Sequence, residues 1–179
     1  MSWLDTYREM VGVRLNMVAN GDLSFVGPDG SSRSISNSTD RELIVRLRSI
    51  SDVYITGGNT VRTEHYQTPA KGKLAVVSRT KPGDPNQIWL NPPAKELLPI
   101  WTIVELRRLG YQRILLEVGP TLAKQFLEAD CVDEFCLTIT QGDLDSAKAA
   151  VSVLGAKLEL AEHFEVDGTL FTKWRRGND

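Results

Sequence analysis

The chain has 179 residues, 41% of them hydrophobic and 25% charged, with a formal net charge of -2. That length buries a core without disulfide or metal staples, and the composition is that of an ordinary soluble domain and does not indicate disorder. The near-neutral charge argues against nucleic acid or an anionic membrane as the main partner.

The first ten residues carry Asp5, Arg8 and Glu9 with no apolar core, so they do not form a signal peptide. No apolar run reaches the length of a membrane span. Cys131 and Cys136 have no further cysteines to build a framework and are read as reduced, part-buried thiols. His65 and His163 share no ligand-like spacing with them, so no metal site is expected. A cytoplasmic protein is expected, folded as one domain over residues 1–179 with its core in 11–175 and no internal repeats.

The first expected strand spans residues 11–18, where Val11, Val13, Leu15 and Met17 alternate with Gly12, Arg14 and Asn16. Asn20-Gly21 ends it with a turn signal. Residues 27–38 are rich in Gly, Pro, Asp and Ser, a solvated loop or a substrate-facing one; composition does not choose between them. Thr39 followed by Glu42 reads as a capping box. The helix it opens carries Leu43, Leu47 and Ile50 on one side.

Val53-Tyr54-Ile55 is a second short strand, and it runs into the glycine corner Gly57-Gly58-Asn59-Thr60. Leu74-Ala75-Val76-Val77 makes a third strand that ends at Ser78. A helix is expected from about residue 95 to 109, stopped by Gly110, with Pro99 kinking it or moving its start.

Residues 113–122 hold the most informative stretch. An apolar strand, Ile114-Leu115-Leu116, passes through Glu117 and Val118 into Gly119-Pro120-Thr121-Leu122. Pro120 suits the first helical position, and Gly119 lets a ligand approach the backbone. A strand, a glycine corner and a helix N-terminus together offer amides and a positive dipole end to a phosphate. Two such corners point to a nucleotide crevice where parallel strands end. Neither a dinucleotide fingerprint nor a P-loop is present. By alternation Val118 faces the core and Glu117 the crevice. Residues 132–139 are strand-like, 146–154 helical or irregular. Residues 158–166 and 169–174 form a hairpin about Asp167-Gly168. Alternating strands and helices followed by a hairpin indicate an α/β sandwich, its central sheet mostly parallel with an antiparallel edge.

With these pieces in place the sequence resembles the reductase domain of the riboflavin-biosynthesis deaminase/reductase family, whose fold is dihydrofolate-reductase-like. The resemblance runs from about residue 14 to 175 and is most specific at residues 14–21, 48–64 and 117–121. It implies an NADPH-dependent reductase that transfers hydride to the ribosyl group of a phosphorylated aminopyrimidine or a related compound, and a homodimer. No deaminase activity is implied. Thr60, Glu64 and Ser78 would lie along the NADPH groove, with Gly119, Pro120, Thr121 and Leu122 around its phosphates. Arg14, Ser32, Arg48 and Glu117 would face the substrate, Arg48 suiting a phosphate through its planar fork. Glu117 and Asn20 occupy the catalytic positions, Glu117 as an acid or the holder of a water. The competing role for Glu117 is an ion pair with Arg48 or Arg113. Asn20 replaces a family aspartate, Ser34 an aromatic residue and Val118 a glycine. Two alternatives stand beside this reading: a non-catalytic nucleotide-binding protein of the same fold, and a pterin or dihydrofolate-type reductase.

Overall fold

A computed structural model describes residues 2–63, 73–81, 83–93 and 98–177. Its centre is strand β1 (Gly12–Ala19), all eight residues of which are buried. A strand is buried throughout only when both faces of its sheet are covered. Val13, Leu15, Met17 and Ala19 enter the larger core. Arg14, Asn16 and Val18 alternate onto the opposite face. Val11, expected to begin the strand, lies outside it and is exposed.

The other strands are β2 (Val53–Gly57), β3 (Leu74–Val77), β4 (Ile88–Leu90), β5 (Arg113–Leu116), β6 (Glu134–Ile139), β7 (Glu159–Val166) and β8 (Thr169–Arg175). They form one sheet in the order β4-β3-β2-β5-β1-β6-β8-β7. The strands from β4 across to β6 pair parallel. Strand β8 runs antiparallel to both β6 and β7. The expected sandwich, mostly parallel with a C-terminal antiparallel hairpin, is therefore the fold. Asp167 and Gly168, at φ 50 and 71, make the left-handed turn that the dipeptide signalled.

Helix α1 (Ser38–Ser49) covers one face of the sheet, packing Leu43 and Leu47 on Tyr54, Leu74, Leu115 and Phe171. A short 3-10 turn, Trp3–Thr6, lies over the same face and brings Trp3 to within 4.7 Å of the Phe171 ring. After α2 (Gly58–Thr63), helices α3 (Leu98–Arg108), α4 (Pro120–Glu128) and α5 (Leu144–Val153) supply the opposite core. Its members include Leu106, Phe126 and Ala150.

Two local expectations, at Thr39 and Arg14, are corrected, and of the two outcomes expected for Pro99 the moved helix start is the one found. Thr39 does not cap α1; Asn37 does, its side chain accepting from Asp40 N at 2.9 Å. The Asn37 amide also donates to Thr169 Oγ1 on β8 at 2.7 Å, so one side chain starts the helix and ties it to the sheet. Pro99 lies in the first turn of α3, where a missing N–H leaves no bond unmade. Arg14 belongs to the interior: its Nε donates to Glu134 Oε1 at 2.6 Å, and NH2 reaches Arg8 O at 3.1 Å. Arg175 binds the other Glu134 oxygen at 2.5 Å. Burial opposes a charge on Glu134, but the two arginines prevail and hold its carboxyl below the usual range.

Candidate active site

Strands β2 and β5 are neighbours, with Ile55 opposite Leu116 and Glu117 N bonded to Ile55 O at 2.9 Å. Their two glycine corners therefore open at the same end of the sheet. A groove of about 350 Å³ runs over them, lined by Gly57, Gly58, Ser78, Gly119, Thr121 and Leu122. A Cβ on Gly57 or Gly119 would meet nothing within 4 Å, so the groove is open at both corners. At Gly58 a Cβ would come within 2.7 Å of Ser78 Cβ, so glycine alone lets these two elements approach. Gly119 caps α4 without a side-chain hydrogen bond, which leaves the helix start available to an anion. These features fit the phosphates of a dinucleotide.

Thr60 and Pro120 line this groove and also a larger cleft of about 810 Å³, so the two are continuous. The cleft lies between α1, the loop before it and the strand ends. Ser32, Arg48 and Glu117 line it, as expected for substrate-facing residues. Arg48 and Glu117 meet as a two-pronged pair, Nε to Oε1 at 2.7 Å and NH2 to Oε2 at 2.5 Å. The Arg48 guanidinium also stacks 4.7 Å from the Tyr54 ring centre. Of the two arginines considered for Glu117, the fold selects Arg48, because Arg113 bonds Asp52 and Glu9 instead.

Other expected residues stand elsewhere. Arg14 does not line the cleft, since Glu134 engages it in the interior. Asn20 does not line it either. Its Oδ1 accepts from Asp22 N at 3.2 Å and Ser24 N at 3.0 Å, which closes the turn after β1. Ser34 spends its hydroxyl on Asp29 Oδ1 at 2.6 Å, and that bond leads the contacts that hold the Asp29 carboxyl low. Phe25 and Val26 supply the apolar wall in its place. Val118 is buried, as strand alternation requires. Glu64 and His65 lie outside the described residues.

Sequence reading missed Asn16, Ser36, Asp40, Arg33 and Arg41, all of which line the cleft. One signal was available: Asn16 is a polar residue within an apolar strand. Asp40, an acid in the first turn of α1, is wholly buried. Burial raises its carboxyl above the usual range. Among the described residues no cluster of His, Cys, Asp and Glu is arranged to hold a metal, and no helix is long and apolar enough to cross a membrane.

A mostly parallel sheet with helices on both faces, and a cleft at its strand ends joined to a groove over two glycine corners, defines a dihydrofolate-reductase-like fold. The model of the RibD C-terminal domain matches residues 13–144, and the chain belongs to that family, one of oxidoreductases of riboflavin biosynthesis. Solved structures agree on the fold. A pyrimidine reductase-like protein from Corynebacterium diphtheriae superposes with a TM-score of 0.72 at 15% identity, over 96% of this chain and 94% of that one. RibD of Acinetobacter baumannii gives 0.66 at 20% identity, over 93% of this chain and 58% of its own. A diaminohydroxyphosphoribosylaminopyrimidine deaminase/5-amino-6-(5-phosphoribosylamino)uracil reductase from Thermotoga maritima gives 0.66 at 16%, over 93% and 57%. The chain thus spans a little over half the length of the last two. No curated protein matches it.

Proposed function

We propose that the protein is an NADPH-dependent reductase acting on the ribosyl group of a phosphorylated aminopyrimidine or a close relative. The observation that carries this reading is the continuity of the two-corner groove with the cleft holding Arg48 and Glu117. A bound reduced nicotinamide supplies the hydride; the protein supplies position and a route for the proton. Gly119, Thr121 and Leu122 would take the cofactor phosphates, with Thr60 and Ser78 along the groove. Glu117 would orient the substrate rather than protonate it, because both its oxygens already receive charged donors from Arg48. For the same reason the substrate phosphate falls to Arg33 and Arg41 on the cleft wall, in place of Arg48. A homodimer in the cytoplasm completes the reading.

Two measurements test it. Titration with NADPH and NADH should show tighter binding of NADPH, and NADPH oxidation should follow addition of the aminopyrimidine phosphate. Binding without turnover would favour the second reading, a nucleotide-binding protein that lacks the reaction. The observation on that side is Asn20, an amide committed to its own turn where the family resemblance places a carboxylate.

A further inference from the structure

Asp40 has a setting that its place in a helix's first turn does not explain. Its Oδ2 accepts from Ser36 Oγ at 2.7 Å. Its Oδ1 is buried and has no hydrogen-bond partner among the described residues. Neither does Asn16 Oδ1, on the wall of the same cleft, nor Thr138 Oγ1 on β6. The Thr138 hydroxyl lies near the Asp40 carboxyl and favours its charged form, but its geometry falls short of a hydrogen bond and burial outweighs it.

The charged groups that act on Asp40 are Arg41 of its own helix and Glu117 at the end of β5. Arg41 directs NH2 to Ser36 O at 3.3 Å and makes no ion pair with Asp40. Arg48, two turns further along α1, is paired with Glu117. An ionised Asp40 would thus be a wholly buried anion near a second anion, with no cation in contact among the described residues. Retaining a proton removes that penalty. It also converts one of three orphaned acceptors into a donor.

We propose that Asp40 is the proton reservoir of the cleft, acting through Ser36 Oγ on the substrate atom that becomes N–H or O–H. The inference rests on the reductase reading. A bound reduced nicotinamide would supply the hydride for the new C–H bond, which would leave the π pair of the C=N or C=O on the heteroatom. With substrate bound, the Ser36 hydroxyl turns from Asp40 Oδ2 to the heteroatom and the carboxyl turns its protonated oxygen to Ser36 Oγ; the heteroatom then takes the hydroxyl proton while Asp40 passes its own to Ser36 Oγ. Asp40 is left as a carboxylate and recovers a proton from water through the open cleft. Ser36, which lines the cleft, is the group that touches substrate; Asp40 acts behind it. Glu117 is unsuited to this task because both of its oxygens are engaged by the Arg48 fork.

The state of the carboxyl is tested first, without cofactor or substrate. In protein labelled with carbon-13 at the aspartate carboxyls, the Asp40 signal, assigned by its loss in Asp40→Asn, should hold the protonated position at pH 7. A carboxylate position at pH 7 overturns the proposal. The second test is turnover with NADPH and the aminopyrimidine phosphate. Asp40→Asn should lower kcat about 100-fold with little change in KM, and should abolish the alkaline limb of the wild-type pH profile. Ser36→Ala should show the same kcat loss while its Asp40 signal remains protonated. Wild-type turnover with Asp40→Asn within about threefold of it overturns this proposal alone. No turnover by the wild type overturns the reductase reading and the donation step together.

Discussion

Arg48 and Glu117 are 69 positions apart in the chain and join α1 to the end of β5 through two parallel hydrogen bonds of 2.7 and 2.5 Å. The Glu117 side chain is 11% exposed and that of Arg48 32%, so the pair is shielded on one side and open to the cleft on the other. A fork-on-carboxylate pair in this setting is stiff, and it fixes the cleft wall before any ligand arrives.

Breaking the pair from one side should therefore be costly. Arg48→Ala removes two charged donors from the Glu117 carboxylate and should destabilise the fold by about 2 kcal/mol. Arg48→Ala combined with Glu117→Ala should lose less than the two single changes added together. Urea unfolding of the four proteins measures the coupling, expected at about 1 kcal/mol. Strict additivity would mean that the pair contributes nothing to stability.

Val118 offers a separate test of the groove. It is buried in the core formed with Ala123 and Phe126, and it also lines the larger cleft next to Gly119. Val118→Gly should change NADPH affinity by less than about tenfold, equivalent to 1.4 kcal/mol. The same change should lower stability by roughly 2 kcal/mol through lost burial and a freer backbone. Calorimetric titration and thermal melts on one preparation separate the effects; a large gain in affinity would show that the valine obstructs the site.

Asn20 should matter to the turn and little to the reaction. An aspartate can accept the same two amide hydrogen bonds, so Asn20→Asp should keep the melting temperature and leave turnover within about threefold, under 1 kcal/mol in barrier. Asn20→Ala should cost about 1 kcal/mol because two amides lose their acceptor. A marked rise in turnover for Asn20→Asp would instead place a carboxylate requirement at this turn.

Two buried acids should give stability opposite dependences on pH. The Glu134 carboxyl is held low in the folded protein, so the unfolded chain binds more protons and stability rises with pH across the interval between the two values. Its contribution is complete above about pH 4.3, the ordinary glutamate value, and is lost as pH falls through the depressed folded value. The stability difference between wild type and Glu134→Gln should shrink over that acid interval. Asp40 is shifted the other way. Relative to Asp40→Asn, wild type should be at its best below about pH 3.9 and lose ground as pH rises from there toward the raised folded value. Chemical denaturation from pH 3 to 8 checks both signs.

Much of the architecture was legible in local pattern. Apolar runs of strand length, the Asp167-Gly168 turn and the Pro120 helix start each depend on a few adjacent residues, and those preferences survive in the fold. The family motifs were legible for the same reason, since they sit at strand ends whose positions the pattern marks. The membership of the cleft was not. The even-numbered face of β1 reads alike at Arg14 and Asn16, yet Arg14 is consumed by Glu134 on β6 while Asn16 reaches the cleft. Asp40 carries no sequence mark of its burial under the covering loop and sheet, and Asn20, catalytic only by the resemblance, is held by its own turn. Periodicity reports which face a side chain leaves by. Its neighbour on that face depends on the order of strands, and the pairing of β2 with β5 and of β1 with β6 brings together residues that are distant in sequence and carry no mark of one another.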